Sequence, residues 1–422
     1  MGACTIKTGD DAAGAAGAAE AGGAGGVGGK ATIDETGGTT AGAGDQGEAG
    51  NETETAGSAG EPGAAGSDGA GGDSRGLGNS CIANLFGTYT VRSNGHAVNE
   101  AASSETIVVD YASMTDATPL AGVVSVQQQS YAACALLEGG TVSCWQEDAT
   151  NGNIYGQLGQ GNTDHVPVYR AVPVLKAANK PLTDVVALAS GSVTNAACAI
   201  TKDKRLWCWG DLSWIVDAGT QDYSNYAQVI TTDGQSPLEG VVQASLGIQQ
   251  ACAVVGGGSE NSVWCWGNAR GEELGQGDTA NHEYPVQVTG LSNPSKVVLV
   301  NVYNNAGGPR DTVCALDKQT VECWGGGAYN QASVPSPTQV TTSASVPLRE
   351  VTDIEEGVGQ FAFLRSDQTV WLWGPHGQAS AYGVPDVLQI GWGGGDSNAL
   401  RYITSDGRYH GNMTNIDTDC GL

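Results

Sequence analysis

AACAITKDKRLWCWGD, from Ala196 to Asp211, is a short apolar run, a polar turn, and a second run ending in Trp-Cys-Trp-Gly. Folded at Lys202-Asp203-Lys204, it makes a β-hairpin in which Cys198 and Cys208 face each other. Directly opposed residues of an antiparallel pair have Cα atoms about 4.5–5.5 Å apart, close enough for a disulfide. Alternation along the second strand puts Leu206 and Cys208 on one face and Trp207 and Trp209 on the other. Gly210 then ends the strand.

The layout recurs. ACALLEGGTVSCWQ carries Cys134 and Cys144, ACAVVGGGSENSVWCWGN carries Cys252 and Cys265, and VCALDKQTVECWGG carries Cys314 and Cys323. FAFLRSDQTVWLWGP has Ala362 and Leu372 at those places, so both thiols are missing together, as bonded partners would be. Weaker copies around Asn94 and Asp406 bring the set to seven hairpins. Six are preceded by a β-branched run, starting at Pro119, Pro181, Pro237, Ser292, Pro347 and Val384. The hairpin around Asn94 lacks one, so the stretch after Gly411 is expected to complete its sheet. Units of roughly 40–60 residues with several short strands each are the mark of a propeller blade.

The Cys-Ala-Leu and Val-x-Cys-Trp-Gly elements, Tyr155-Gly156-Gln157-Leu158-Gly159-Gln160-Gly161, and the degenerate Glu273-Leu274-Gly275-Gln276-Gly277 resemble the regulator of chromosome condensation repeat family, in a bacterial, exported form. The resemblance runs from about Cys81 to the C-terminus. It implies an all-β, seven-bladed β-propeller, which agrees with the hairpin count. The family includes an exchange factor for a small GTPase, chromatin-binding proteins and bacterial inhibitors of secreted enzymes. Those activities reside in variable loops, so the resemblance does not transfer any of them.

Composition divides the chain at Ser80. Residues 1–80 hold 25 Gly and 18 Ala but no aromatic residue, and are read as a disordered acidic tether. Residues 81–422 hold all the Trp, Tyr and Phe and form the propeller. The chain carries a formal charge of −27, which argues against nucleic acid and against anionic membrane surfaces. No apolar run approaches a membrane span.

Eight of the eleven cysteines fall into the four local pairs. Zinc is disfavoured by the lack of Cys-x-x-Cys spacing and of a nearby His; reduced core thiols remain the alternative. Disulfides imply an oxidising, extracytoplasmic setting. Of the other three, Cys4 follows Gly2-Ala3 as in the end of a bacterial lipoprotein signal, where the Cys is lipidated; an incidental Cys at a cytoplasmic start is the competing reading. Cys81 and Cys420 flank the propeller, and a bridge between them would lock the ring; two unrelated thiols is the alternative.

The five hairpin tryptophans, Trp145, Trp209, Trp266, Trp324 and Trp373, repeat in place, which favours packing between blades over a glycan platform. Departures from the repeat point to a partner instead. DLSWIVDAGTQDYSNYAQ replaces the Gly-Gln-Leu-Gly loop with Trp214, Asp217, Asp222, Tyr223 and Tyr226. Aromatics beside carboxylates suit a protein or glycan contact, and equally a loop packed on its own blade. Tyr303 is a smaller candidate. The five histidines are isolated and no catalytic, metal or cofactor set emerges. The expectation is a non-catalytic, monomeric, extracytoplasmic binding module for a protein or glycan, secreted or lipid-anchored. A polysaccharide hydrolase or lyase using carboxylates from several blades, and an intracellular exchange or scaffold protein, stand as alternatives.

Overall fold

Each hairpin lies next to an inner strand in an antiparallel sheet, in a computed structural model that describes most of residues 82–411. Residues 1–81, 100–105, 111–117, 190, 192–193, 214–222, 270–271, 305–307, 327–333, 358, 375–377, 393–399 and 412–422 lie outside the described residues. The described residues hold seven blade sheets and no helix. Blade 3 shows the plan: Val185–Leu188, Ala196–Thr201, Leu206–Asp211 and Tyr223–Val229 pair in sequence order from the ring's centre outward. Blade 2 adds a fifth strand, Val109–Asp110, parallel to Arg170–Pro173 at its outer edge.

The apolar core is divided among the joints. Seven buried clusters each draw on two consecutive blades. Strand alternation decides which joint a side chain enters. Cys198 and Cys208 face blade 4, while Trp209, one residue on, faces blade 2. All four predicted pairs are disulfides at directly opposed positions, with Cα–Cα distances of 4.0–4.1 Å. Ala362 and Leu372 oppose each other in the same register in blade 6.

Two expectations need correction. The β-branched runs do not become strands at their prolines: the inner strands begin at Val123, Val185, Val241 and Val351, four residues later. Before each sits a residue in the left-handed region, Gly122, Asp184, Gly240 or Glu350, which separates the inner strand from the Pro-Leu link, whose proline pairs instead with the end of the preceding blade or its outer edge. Its leucine is buried, and its N–H donates to a carbonyl at the end of the preceding blade, as from Leu238 to Ile230 (2.8 Å). The first hairpin, too, has its inner strand. Ile82–Phe86 pairs with Tyr89–Arg92, so blade 1 is complete within residues 82–107. The run was missed because no Pro-Leu link introduces it.

The ring closes between blades 1 and 7, where Ile82 and Leu85 pack with Ile403. Arg401 donates to the Gly87 carbonyl and, at 2.8 Å, to the Tyr409 hydroxyl. All seven inner strands also carry a β-bulge near their start, at Ala83, Val124, Val186, Val242, Ser295, Thr352 and Leu388. A bulge adds local twist to the sheet that carries it.

Candidate functional site

Antiparallel order sends the connections of every blade alternately to two faces. Hairpin turns and blade-to-blade links fall on one, here the turn face. The bends after the first strand and the loops after the third fall on the other, the loop face. The turns repeat closely: the first residue of an inner strand donates to the hairpin turn of the preceding blade, as from Val185 to Gly140 (3.0 Å), Val241 to Lys204 (2.9 Å) and Val387 to Gln368 (3.0 Å). Of the segments singled out in sequence for departing from the repeat, the described ends of 211–228, Asp211–Ser213 and Tyr223–Gln228, and the strand end at Tyr303 lie toward the loop face.

At most joints the repeat motif serves packing. The Gly-Gln-Leu-Gly loop of blade 2 lies against blade 3, where Trp209 Nε1 donates to the Gln157 carbonyl (3.0 Å). Gly159, at φ 61°, leaves a Cβ no room: one would stand 3.0 Å from Trp209 Cδ1. The degenerate copy does the same, with Trp324 Nε1 on the Glu273 carbonyl (2.9 Å) and Gly275 at φ 67°. Trp145, Trp209, Trp266 and Trp324 are all buried, and Trp373 is half-buried against Phe361. The tryptophans are joint packing, as their repetition implies.

The joint between blades 1 and 2 is different. Trp145 Nε1 donates to the Tyr89 hydroxyl (2.8 Å), and the two rings meet edge-on. Tyr89 in turn donates to Glu147 Oε1, which also accepts from Asn99 Nδ2 (3.2 Å). Blades 3, 4 and 5 have a left-handed glycine after the tryptophan, Gly210, Gly267 and Gly325; blade 2 has Gln146. Burial raises the Glu147 carboxyl to about 7, against the opposing effect of its hydrogen bonds from Tyr89, Gln128 and Asn99. Burial and the neighbouring Glu147 push the Tyr89 hydroxyl well above its ordinary value. Sequence reading missed this cluster because Tyr89, Asn99 and Glu147 meet only when two blades pack. Gln146 in the place of glycine was the available signal.

Of the predicted contact residues, Tyr223 is exposed at the loop end of blade 3. Tyr226 is half-buried, its ring lying over Gly161, whose N–H donates to the Asn225 carbonyl (2.9 Å). Tyr226 thus seats the blade 2 loop. Trp214, Asp217 and Asp222 lie outside the described residues, as do Cys4, Cys81 and Cys420. Tyr303 belongs to the inner hairpin of blade 5, Pro294–Asn304 with Gly308–Asp317, which pairs five residues beyond the Leu299–Val313 level. At about 3.4 Å per residue the extension reaches roughly 15 Å past its neighbours on the loop face. Two residues not foreseen, Tyr131 and Ile154, are each 40% exposed on the loop face of blade 2. Tyr131 sits in the bend that receives the Glu147 N–H (2.9 Å), and Ile154 sits two residues before Gly156, which abuts Ser224 beside Tyr223.

On the inner strands, Lys296 of blade 5 binds Asp353 (2.7 Å) and Glu355 (3.1 Å) of blade 6. Burial works against the charge on Lys296, but the two carboxylates outweigh it and hold the ammonium above its usual value. Gln243 of blade 4 similarly exchanges two hydrogen bonds of 2.9 Å with the Val297 backbone. These inner-strand polar groups tie consecutive blades. No group of His, Cys, Asp and Glu that could hold a metal occurs among the described residues.

The ring, its seven inter-blade cores and its single loop-bearing face define a seven-bladed β-propeller built from sequence repeats. The Regulator of chromosome condensation (RCC1) repeat matches residues 260–302, from the third strand of blade 4 into the inner strand of blade 5, so the sequence repeat is staggered against the blade. The chain is 28% identical over 172 residues to the human E3 ubiquitin-protein ligase HERC2, covering 40% of this chain and 3% of that protein. It is 26% identical over 194 residues to the ultraviolet-B receptor UVR8 of Arabidopsis thaliana, covering 45% and 38%. The chain thus spans well under half the length of either relative. The crystal structure of human WBSCR16 superposes with a TM-score of 0.53 at 14% identity, covering 76% of this chain and 86% of that one. The repeat match and these similarities support the regulator of chromosome condensation repeat family. Its four disulfides suggest an oxidising, extracytoplasmic environment. No helix among the described residues is long and apolar enough to cross a membrane.

Proposed function

We propose that this propeller is a non-catalytic, extracytoplasmic binding module whose loop face engages a protein partner over blades 2 and 3. The observation that carries this reading is the exposure of Tyr131, Ile154 and Tyr223 on that face, amid the connections that break the repeat. Tyrosines offer large contact area at small entropic cost and are enriched where interfaces concentrate their energy. Rigid joints beneath them, fixed by Trp209, Gly159 and the disulfides, keep the surface preorganised. On this reading residues 1–80 are a tether, joined to a lipid at Cys4, and residues 81–422 are the binding domain. The test is affinity capture from the native compartment with the whole chain, with Tyr131→Ala/Tyr223→Ala, and with the turn-face pair Val346→Ala/Tyr382→Ala. A partner kept by the turn-face variant and lost by the loop-face variant is expected; an identical captured set in all three would refute the assignment.

A further inference from the structure

Charge is sorted by the same wiring that sorts the connections. Lys176, Lys180, Lys202, Lys204 and Lys318 are exposed, and every one lies in a hairpin turn or blade-to-blade link. The remaining lysine of the described residues, Lys296, is buried by its ion pairs near the turn end of an inner strand. Among the described residues, therefore, the loop face has no lysine. Its described arginines are few: Arg170 is half-buried, Arg401 is buried against Tyr409 and Gly87, and Arg310 stands on the blade 5 extension opposite Val302.

Carboxylates are distributed otherwise. On the turn face some stand beside cations of the same chain, Asp184 with Lys202, Asp203 and Glu239 with Arg205, Glu350 and Asp367 with Arg365, and Asp406 with Arg408, while Glu138, Asp233, Glu260 and Asp386 share that face with Lys176, Lys180, Lys204 and Lys318. On the loop face Asp148, Asp164, Glu272 and Asp278 are at least partly exposed and have no lysine on their side of the ring. Backbone N–H groups of Asn151 and Thr150 hold the Asp148 carboxyl below its usual value, so it is ionised at any physiological pH. Asp278 likewise accepts from the Ala280 N–H (3.0 Å). The turn face is thus nearly self-neutralised and the loop face is left acidic around an aromatic centre.

We infer that the partner of the loop face is a protein with a basic, lysine- or arginine-rich surface, which meets Asp148, Asp164, Glu272 and Asp278 as a rim around Tyr131, Ile154 and Tyr223. The inference rests on the loop-face reading above and adds the partner's charge to it. An acidic surface with few cations of its own attracts a basic partner over about a Debye length, 8–10 Å at ordinary ionic strength, and speeds its arrival. Opposed charges at the rim then set orientation, while the apolar centre supplies the lasting contact.

Cytochrome c serves as the lysine-rich probe, with the whole chain, and carbodiimide joins its amines to carboxylates in contact. Cross-links are expected at Asp148, Asp164, Glu272 and Asp278, with none at Asp233, Glu239, Asp367 and Asp386 of the turn face. Neutralising the four loop-face carboxylates to Asn or Gln is expected to weaken binding about tenfold at low ionic strength, whereas the four turn-face changes leave it within about twofold. Each variant is first shown to melt cooperatively like the parent, and the two sets report against each other if one is less stable. Cross-links spread evenly over both faces, equal losses in the two variants, or no binding of cytochrome c would each overturn the inference. The loop-face reading is tested apart from it, because the Tyr131→Ala/Tyr223→Ala pair alters no charge.

Discussion

Tyr89 of blade 1 donates its hydroxyl proton to Glu147 of blade 2, so a hydrogen bond to a buried carboxyl stands where the other joints use a docked loop or apolar packing. Trp145 and Asn99 complete the cluster from both blades. Its consequence is a pH-dependent joint.

Burial raises the Glu147 carboxyl from its ordinary value of 4.5 to about 7. The folded state therefore holds this proton more tightly than the unfolded chain. The corresponding stability is fully present below about pH 4.5 and is lost as pH rises to about 7. Such a shift corresponds to roughly 3 kcal/mol at most. Glu147→Gln is expected to flatten this slope. Thermal melts at pH 5 and pH 8 check it: the variant should gain on the parent at pH 8, and a difference independent of pH would show that Glu147 is not the titrating group.

Ala362 and Leu372 occupy the register that bears a disulfide in blades 2 to 5. Ala362→Cys/Leu372→Cys is expected to oxidise to a fifth bridge, stabilising the fold by about 2–3 kcal/mol in the chain-entropy account. Peptide mass mapping without reductant reads the bond, and denaturant titration reads the gain. Free thiols in the purified variant would contradict the pairing.

How much of this was legible in sequence depends on how far apart the interacting residues lie. The hairpins could be read because their pairing is local: Cys198 and Cys208, ten residues apart, predict each other across one turn. The inter-blade role of Trp209 followed from the recurrence of a tryptophan at the same place in five hairpins. The Pro-Leu runs misled because a β-branched run does not reveal where the left-handed residue falls, and Asp184 or Glu350 in that conformation carries no sequence mark. Tyr131 and Ile154 escaped notice because exposure at a loop tip depends on neighbouring blades. Glu147 could not be paired with Tyr89 before the ring order was known.

Gly275 combines φ 67° with a packed neighbour, Trp324 Nε1 lying 2.9 Å from where a Cβ would stand. Gly139, in a hairpin turn, has nothing within 4 Å of that point and an ordinary φ. Gly275→Ala should destabilise the fold by about 1–3 kcal/mol, and Gly139→Ala by less than about 0.5 kcal/mol. Chemical denaturation of both variants gives the comparison. Equal effects would mean that the loop does not dock on the tryptophan.

Lys296 neutralises two inner-strand carboxylates of the next blade. Lys296→Met leaves Asp353 and Glu355 facing each other with no cation between them, and should cost about 3–5 kcal/mol at neutral pH. Burial raises the Glu355 carboxyl, so its protonation relieves this and the deficit should shrink as pH falls toward 4. A deficit unchanged by pH would assign the loss to packing instead.

The central claim, an oxidised ring of blades each closed on itself, is tested most directly by mapping disulfides in protein taken from its native compartment without reductant. The account predicts Cys198 joined to Cys208, with Cys134–Cys144, Cys252–Cys265 and Cys314–Cys323 alongside. Cys198 recovered as a free thiol, or bonded to any other cysteine, would contradict it.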